Sequence, residues 1–324
     1  MLKIGIVGTG KFGQNHARIL TTIDNIQFVG LYDKNQQRAK EIAQKFSIPS
    51  YETLDELLDK IDALVVVVTT IYHYEIAKKA LEKGISVFIE KPITETYEQA
   101  QELIAIAEKN NLIIQVGHVE RFNPIIMKLQ NKIGDPIFVE AHRIAPFSIR
   151  GTDIPVVQEL MIHDIDLILA FIHSKVTDIR ASGSNVLTNK VDIANARLEF
   201  ENGAVANITA SRISLLRSRK LRFFQKDAYF SVDFQTKKAQ HVGKSADFYM
   251  KLPQMMMDPT NFDTTSLVEI EDIDANDFEK DSLTMELEAF VDCAINKKKP
   301  LVDGVAGSRA LKIANIIVEK IDNK

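Results

Sequence analysis

The sequence predicts an α/β domain with a doubly wound parallel sheet, followed by a C-terminal α+β domain with a largely antiparallel sheet. Three observations support this. A length of 324 residues suits two domains of roughly 150 residues each. The first third alternates short apolar runs with helical patterns, which is typical of βαβ units. Farther along, strands follow one another through short turns, which favours antiparallel pairing. We expect domains 1–122 and 123–324.

The strands predicted in the first domain are short and apolar throughout, as expected for parallel strands covered on both faces. They are Lys3–Val7, Gln27–Tyr32, Ala63–Val68, Ser86–Ile89 and Ile113–Val116. Between them, helical patterns occupy Lys11–Leu20, Gln36–Phe46, Tyr74–Glu82 and Thr94–Lys109. This order predicts that helices cross over between parallel strands.

The second domain begins with a helical segment bracketed by Pro124 and Pro136, and Val156–Ile172 has apolar residues at helical spacing. Asn202-Gly203 predicts a type I′ hairpin turn, whose two central positions need positive φ. We interpret Pro253–Lys280, which is acidic and aperiodic, as a long loop. The predicted strands are Ile137–Ile144, Thr177–Gly183, Val191–Phe200, Ala204–Ser211, Leu221–Gln225, Tyr229–Phe234 and Lys237–Val242, and the closing helices are Ser282–Ile295 and Ala306–Ile321.

Composition argues against several classes of partner. Forty basic and forty-four acidic residues give a net charge of −4, which is too balanced to predict nucleic acid or an anionic membrane. The one cysteine, Cys293, excludes intrachain disulfides and suits a reducing cytoplasm. The longest apolar stretch, Ala63–Val68, is far shorter than the ~20 residues of a membrane span, and the N-terminus does not resemble a signal peptide. Because no histidines have metal-ligand spacing, we expect a cytoplasmic protein without a metal.

A glycine motif follows the first predicted strand. Gly8-Thr9-Gly10-Lys11-Phe12-Gly13 reads GxGxxG between a strand and a helix. There the glycines permit a tight turn, close approach to a pyrophosphate and close helix–strand packing. Asp33 ends the second strand, where a carboxylate accepts hydrogen bonds from the adenosine ribose and repels a 2′-phosphate. The sequence therefore predicts a Rossmann-type domain that binds NAD rather than NADP; a glycine turn without a ligand is the alternative.

A lysine follows the fourth predicted strand. Glu90-Lys91-Pro92 stands at the carboxyl end of Ser86–Ile89, where open α/β sheets bind their ligands. A lysine there can donate to a substrate hydroxyl and stabilise an alkoxide as hydride departs. A solvated strand end is the alternative.

Several motifs occur in order along the whole chain. They are the glycine loop, Asp33, His73, Glu90–Pro92, Gly117–Pro124, Met161–Asp166, Glu286–Phe290 and Gly307–Leu311. In this order they resemble the glucose–fructose oxidoreductase / inositol dehydrogenase (Gfo/Idh/MocA) family. The resemblance implies that Lys91 and His163 form a catalytic pair. It also implies that NAD is bound by Gly8, Gly10, Lys11, Phe12, Gly13, Asp33, Thr69, His73, Glu90 and Lys91.

The chemistry of His163 agrees with this resemblance. Oxidation of a secondary alcohol needs a base for the hydroxyl proton, and an imidazole with an unperturbed pKa of ~6.5 suits that role. The family has an aspartate four residues before the histidine, where this chain has Glu159. An i, i+4 spacing keeps both on one helix face, so the resemblance implies a catalytic role for Glu159 as well. The alternative for His163 is packing within its helix.

Several other residues are weaker candidates for the substrate site. Arg121 and Asn123, near the predicted domain boundary, are candidate substrate contacts. Asp164 either contributes to the substrate site by orienting His163 or faces solvent. A basic run from Arg212 to Arg222 is interpreted as a solvated face or an oligomer edge, or as a contact for a substrate diphosphate.

The resemblance implies oxidation of a secondary hydroxyl of a sugar. Gly117–Pro124 and Leu160–Leu167 look most like enzymes that oxidise the 3-hydroxyl of UDP-N-acetylglucosamine. Alternatives are a dehydrogenase of a free polyol such as inositol, and a non-catalytic NAD- or sugar-binding regulator. Retention of Lys91 and His163 argues against the regulator. An antiparallel sheet with one uncovered face also predicts a homodimer or homotetramer.

Overall fold

The computed structural model describes residues 1–148, 152 and 154–323. The chain divides into two units. The first consists of Met1–Phe122 and Lys280–Ile313, and the second of Asn123–Glu279 and Ala314–Lys324. The division after Phe122 falls where the sequence placed a boundary, whereas Lys280–Ile313 groups with the first unit instead of the second.

A five-stranded parallel sheet, in the order β2-β1-β3-β4-β5, forms the centre of the first unit. The predicted parallel, doubly wound architecture is confirmed. Its strands are β1 (Leu2–Val7), β2 (Ile26–Tyr32), β3 (Ala63–Val66), β4 (Ser86–Glu90) and β5 (Ile114–Gly117). Its N-terminal helices are α1 (Lys11–Leu20), α2 (Gln36–Phe46), α3 (Leu54–Leu58), α4 (His73–Glu82) and α5 (Tyr97–Asn110).

Two helix boundaries differ from the sequence prediction for local reasons. Helix α5 begins at Tyr97 rather than Thr94, because Thr96 and Gln99 form a reciprocal capping box that ends the preceding loop. Helix α3 was not predicted, since its five residues are too few for a helical period to be recognised.

The second unit holds an eight-stranded sheet in the order β13-β12-β11-β10-β6-β9-β8-β7. All neighbouring pairs are antiparallel except β6 and β9, so the predicted largely antiparallel sheet is confirmed. Its strands are β6 (Phe138–Ile144), β7 (Val176–Ser184), β8 (Ile193–Phe200), β9 (Val205–Ser211), β10 (Ser218–Phe224), β11 (Ala228–Asp233), β12 (Lys238–Lys244) and β13 (Val268–Asp274). Its helices are α6 (Pro124–Leu129), α7 (Ile162–Phe171) and α8 (Phe248–Met257), with a π-helical turn at Val157–Met161.

The two faces of this sheet differ in burial. Alternate side chains such as Val139, Leu198 and Phe223 are buried on the face that packs against α7. On the other face, one side chain from each of five neighbouring strands forms an apolar row. The row consists of Phe138, Phe224, Tyr229, Val242 and Ile270. It is partly exposed at its first four members and more than half exposed at Ile270.

Two predictions for the second unit are wrong in detail. Pro253–Lys280 is not a loop: Pro253 lies within α8, and β13 pairs with β12 as an edge strand. An exposed edge strand tolerates acidic residues, so acidic composition did not indicate a loop. The hairpin at Asn202-Gly203 is present but is not type I′, because Gly203 has a positive φ of 85° and Asn202 does not. The Gly203 N–H donates to the Phe200 carbonyl, which is typical of a longer loop with glycine at its left-handed position.

The C-terminal segment contains helices α9 (Ser282–Asn296) and α10 (Gly304–Asp322). Leu287, Phe290 and Val291 of α9 are buried in one cluster with Ile4 and Ile6 of β1, which explains why this segment groups with the first unit. Contacts between residues so distant in sequence leave no local pattern, so a contiguous domain was expected instead.

Candidate active site

The glycine loop after β1 has the conformation that its three glycines make possible. Gly8 has a φ of 96°, and a Cβ there would lie 2.1 Å from the Val67 carbonyl oxygen. A Cβ on Gly13 would lie 2.0 Å from the Gly8 carbonyl oxygen, so α1 packs directly on the loop. A Cβ added to Gly10, by contrast, would have no other heavy atom of the described residues within 4 Å. Two glycines therefore serve packing, and the third leaves open space beside the loop.

The N-terminus of α1 is free to bind an anion. Gly10 is its N-cap residue and provides no side-chain cap, so the first backbone N–H groups keep their donor capacity. Lys11 and Phe12 in the first turn are exposed. Open space at Gly10 and uncapped N–H groups together fit the pyrophosphate of a dinucleotide.

Asp33 lies directly against this loop. Its Oδ2 accepts hydrogen bonds from the Thr9 backbone N at 2.6 Å and from Thr9 Oγ1 at 2.7 Å. Its Oδ1 accepts from the Asn35 backbone N at 2.8 Å. The carboxylate is thus fixed beside the glycine loop and remains partly exposed.

Glu90 and Lys91 lie at the carboxyl end of β4, as predicted. Glu90 Oε2 accepts a hydrogen bond from the Lys91 backbone N at 3.1 Å, and Oε1 lies 3.1 Å from His16 Nε2. Gly117 on β5 permits this arrangement, because a Cβ there would lie 3.0 Å from Glu90 Oε2. Burial alone raises the pKa of Glu90, but the adjacent His16 and Lys91 hold that pKa below its ordinary value. His16 was not identified from the sequence, where its only signal is its place on the helix that follows the glycine loop.

The His73 side chain contacts the backbone just after two strands, β3 and β4. Its Nδ1 lies 2.9 Å from the Pro92 carbonyl oxygen, and its Nε2 lies 3.0 Å from the Val68 carbonyl oxygen. Burial lowers the pKa of His73 despite these carbonyl contacts. Both ring nitrogens of His73 thus contact backbone carbonyl groups, which links the loops that follow β3 and β4. Thr69, at the start of the Thr70–Tyr72 turn, is exposed.

Arg121 and Asn123 belong to different units. Arg121, in the first unit, donates from Nη2 to the Leu301 carbonyl oxygen at 3.3 Å. Asn123, in the second unit, is buried and caps α6, where its Oδ1 accepts from the Ile125 backbone N at 3.3 Å. The capping role accounts for the residue type at Asn123 without a substrate.

In the second unit, His163 is the second residue of α7 and is partly exposed. The next residue, Asp164, is buried, so of the two alternatives for this residue the solvent-facing one is excluded. Its two oxygens accept hydrogen bonds from Arg143, Oδ2 from Nε at 2.9 Å and Oδ1 from Nη2 at 2.7 Å. Arg143 was not identified from the sequence, because only the fold brings β6 and α7 together.

Glu159 lies on the π-helical turn rather than in the α-helix expected from the spacing. Its Oε2 accepts a hydrogen bond from Arg212 Nη1 at 3.1 Å, and Arg212 Nε donates to Asp192 Oδ1 at 2.8 Å. Arg212 is 3% exposed, so its interpretation as part of a solvated face is wrong. Arg217, Lys220 and Arg222 in the same run are exposed, as expected of such a face.

Asp192 anchors this group of charges and is fully buried. Its Oδ2 accepts three backbone hydrogen bonds, from the N–H groups of Val186, Leu187 and Thr188. Burial alone raises the pKa of Asp192, but these donors and Arg212 outweigh it and hold the pKa far below its ordinary value. We call Glu159, Arg212 and Asp192 the carboxylate–arginine network.

The described residues contain neither a metal-binding cluster nor a membrane-spanning helix. No group of three or more His, Cys, Asp or Glu residues there is arranged to hold a metal ion. None of the helices in those residues has the length and apolar character needed to cross a membrane.

Family models match both parts of the chain. A model described as "Oxidoreductase family, NAD-binding Rossmann fold" matches residues 2–118, and one described as "GFO/IDH/MocA C-terminal domain" matches residues 129–230. With the glycine loop and Asp33, these matches define an NAD-binding oxidoreductase. The chain belongs to the GFO/IDH/MocA family, and the predicted NAD-binding domain is confirmed.

Similar proteins include several dehydrogenases. A UDP-N-acetylglucosamine 3-dehydrogenase from Acidithiobacillus ferrooxidans is 34% identical, covering 97% of this chain and 95% of that protein. Its solved structure matches with a TM-score of 0.89 at 32% identity, over 99% of this chain and 98% of that one. A scyllo-inositol 2-dehydrogenase (NAD(+)) from Bacillus subtilis is 27% identical over 66% of this chain and 68% of that protein. The structure of scyllo-inositol dehydrogenase from Lactobacillus casei with NAD(H) and scyllo-inositol shares the fold, with a TM-score of 0.78 at 20% identity over 100% and 97% of the two chains.

Proposed function

We propose that this protein uses NAD to oxidise a secondary hydroxyl of a nucleotide sugar, the 3-hydroxyl of UDP-N-acetylglucosamine or a close analogue. The observation that carries this proposal is similarity along almost the entire length to a UDP-N-acetylglucosamine 3-dehydrogenase. The inositol dehydrogenase from Bacillus subtilis, by comparison, aligns with only 66% of the chain. An enzyme for free polyols is the second candidate, supported by that partial similarity.

Each proposed catalytic residue has a defined task. Bound NAD supplies the hydride acceptor at the carboxyl ends of the parallel strands. Lys91 donates a hydrogen bond to the substrate oxygen and stabilises the negative charge that develops there. His163 accepts the hydroxyl proton. Glu159 orients the site, and its bond to Arg212 holds its carboxylate in place.

The substrate class is tested with a panel of nucleotide sugars and free polyols. NADH absorbance is followed with catalytic amounts of enzyme, and products are identified by mass spectrometry in case the cofactor is held and recycled. Oxidation of a UDP-sugar at C3 is the expected result. Turnover of free inositol alone supports the second candidate, and NAD binding without turnover of any sugar indicates a regulator.

The catalytic assignment predicts the kinetics of single and double variants. Lys91→Ala and His163→Ala should each lower the rate on the order of 10²- to 10⁴-fold while NAD affinity changes little. The double variant should be scarcely slower than the poorer single one, because residues that act as a unit are not additive. Glu159→Asp should keep activity within roughly tenfold if this carboxylate only orients the site.

Matched controls separate chemistry from folding. Lys299→Ala and His173→Ala remove an exposed lysine and an exposed histidine and should leave the rate unchanged. Circular dichroism of every variant checks the fold. Near-normal turnover by a folded His163→Ala protein would exclude this residue as the base.

We further propose that the protein is a cytoplasmic homodimer or homotetramer that pairs through the outer face of its antiparallel sheet. The apolar row supports this assembly, as do exposed side chains of α8, namely Tyr249, Met250, Met256 and Met257. A face of this kind tends to be covered by another copy of itself. Use of NAD and a single free thiol, the buried Cys293, fit the cytoplasm.

A further inference from the structure

We infer that two buried arginines, Arg143 and Arg212, hold the π-helical turn of the second unit and thereby fix the site residues that this turn positions. The turn, Val157–Met161, contains Glu159 and is followed closely by His163. Each arginine acts through an acidic side chain, so both are positioning residues. Their effect on the reaction rests on the function proposed above, whereas their hold on the turn does not.

The two arginines lie at one edge of the second sheet because β6 and β9 run parallel. Arg143 is the second-last residue of β6 and pairs with Ala210 of β9, and Arg212 directly follows the last residue of β9. Parallel strands end at the same edge of a sheet, whereas antiparallel neighbours would have placed the two arginines at opposite edges. The π-helical turn packs on β9, and α7 packs on both β6 and β9. Both guanidinium groups are therefore within reach of the same short segment.

Arg143 binds the first turn of α7. Its Nε and Nη2 donate to the two oxygens of Asp164, at 2.9 and 2.7 Å, so the planar guanidinium and the carboxylate meet edge to edge. The guanidinium also lies over the ring of Phe234, 5.7 Å from its centroid. Asp164 cannot turn about the helix axis without breaking both hydrogen bonds, and His163, the adjacent residue of α7, turns with it.

Arg212 binds the π-helical turn itself. Its Nη1 donates to Glu159 Oε2 at 3.1 Å and to the Ile154 carbonyl oxygen at 2.8 Å. Its Nε donates to Asp192 Oδ1 at 2.8 Å, and its Nη2 donates to Thr188 Oγ1 at 3.2 Å. Because every nitrogen of the guanidinium is engaged, Arg212 is fixed in one orientation, and the Glu159 carboxylate is fixed with it.

The turn between these two anchors has an unfavourable geometry. The Ile162 backbone N–H donates to the Val157 carbonyl oxygen, five residues earlier instead of the four of an α-helix. Such π-helical turns are rare and are found mostly as single turns, frequently at functional sites. Relaxation to an α-helix would rotate the residues on either side of the turn relative to each other by one residue, ~100° about the helix axis. Arg212 binds within the turn and Arg143 binds beyond it, so together they oppose this relaxation.

A contribution to folding alone does not account for the pair of Arg143 and Asp164. Removal of two charges from water costs much of what their attraction returns, so an apolar pair of similar volume is often as stabilising. An apolar contact lacks direction, however, whereas two parallel hydrogen bonds fix the angle between the groups. A variant that keeps the stability of the protein but loses these bonds therefore isolates the positioning role.

Arg143→Met/Asp164→Leu is that variant, because it replaces the ion pair with apolar side chains of similar volume. We expect a midpoint of urea unfolding close to that of the wild type. With the sugar identified by the substrate panel, kcat should fall about 10- to 100-fold while KM changes less than about threefold, because the reacting groups are displaced but the substrate still binds. Arg180→Met/Asp178→Leu replaces an exposed pair of the same residue types and should change neither quantity. A stable Arg143→Met/Asp164→Leu protein with wild-type kcat overturns the inference.

Two lysine variants keep the test decisive if the double variant does not fold. Arg143→Lys and Arg212→Lys retain the positive charge but lose the planar group that donates in several directions. We expect each to fold and to lower kcat at little-changed KM. Wild-type kcat in either variant contradicts the positioning role of that arginine.

Crystal structures of the wild type and these variants test the inference without turnover. We expect Val157–Met161 to be π-helical in the wild type, and to have α-helical hydrogen bonds or a displaced His163 side chain in the variants. A wild-type turn that is α-helical, or a turn and a His163 side chain unchanged in every variant, overturns the inference. If the wild type oxidises no sugar, the proposed function fails, but these structures still show whether the two arginines hold the turn.

Discussion

At the scale of single residues, Asp33 has two roles that the sequence did not separate. It holds Thr9 through two hydrogen bonds, and we propose that its carboxylate also repels a 2′-phosphate. We therefore expect loss of Asp33 to change both cofactor choice and the order of the glycine loop.

Asp33→Ser should weaken NAD binding and narrow the preference for NAD over NADP, because a repulsive charge is removed. Thr9→Val is the matched variant: it loses the Oγ1 hydrogen bond but leaves the charge in place. We expect it to bind both cofactors more weakly with the preference retained. Calorimetry with each cofactor measures both effects, and tighter binding of NADP by the wild-type protein contradicts the role of Asp33.

Residues of the glycine loop were predictable because their constraints are local. Gly8 and Gly13 are required by contacts within the same strand–loop–helix unit and its neighbour, and the motif spacing reports them. His16, Arg143 and Arg212 were not, because the acidic partner of each is distant in the sequence. A buried charge looks like a surface charge until its partner is known.

At the scale of elements, the carboxylate–arginine network joins three segments of the second unit. Asp192 holds the turn at Val186–Thr188 and the guanidinium of Arg212, which reaches Glu159 on the π-helical turn. Because Arg212 is buried, the network depends on both of its carboxylates.

Asp192→Asn should destabilise the protein on the order of 3 kcal/mol, because it leaves Arg212 buried without its full counter-charge. Urea unfolding measures this, and Asp178→Asn, which removes an exposed acid paired with Arg180, is the control with little expected effect.

The same residue predicts a pH dependence. The pKa of Asp192 is lower in the folded than in the unfolded protein, so its stabilising effect is complete above its unfolded pKa of ~3.9 and is lost as pH falls toward the folded value. The stability difference between wild type and Asp192→Asn should therefore shrink below pH ~4. A difference that is constant down to pH 3 contradicts an ionised Asp192.

At the scale of the molecule, the apolar row on the outer sheet face predicts self-association. Wild-type protein should be a dimer or tetramer by light scattering at micromolar concentration. Phe224→Lys places a charge between Phe138 and Tyr229, whose rings lie 5.6 and 5.5 Å from that of Phe224, and should shift the protein toward monomer. Ile295→Lys on α9, also at an exposed apolar position, should not. A wild-type monomer contradicts the assembly.

The sequence predicted the strands of the two sheets better than it predicted which unit each segment belongs to. Apolar runs and alternation identified twelve of the thirteen strands, since each pattern is local to its strand. The thirteenth, β13, is an exposed edge strand with acidic residues and therefore lacks a buried face to reveal it. The grouping of α9 with the first unit depends on Leu287 and Phe290 meeting β1 across most of the chain, which no window of sequence contains.

That grouping has a consequence for synthesis of the protein on the ribosome. Strand β1 and the glycine loop are among the first residues made, yet the cluster that covers β1 also needs Leu287, Phe290 and Val291. Roughly 160 residues separate the two parts of the first unit, which corresponds to about 10–30 s of elongation at ordinary rates. Throughout that interval, the apolar surface around Ile4 and Ile6 stays partly uncovered, because helix α9 has not yet been translated. We therefore expect the nascent chain to be prone to aggregation at this segment, which adjoins the proposed cofactor site.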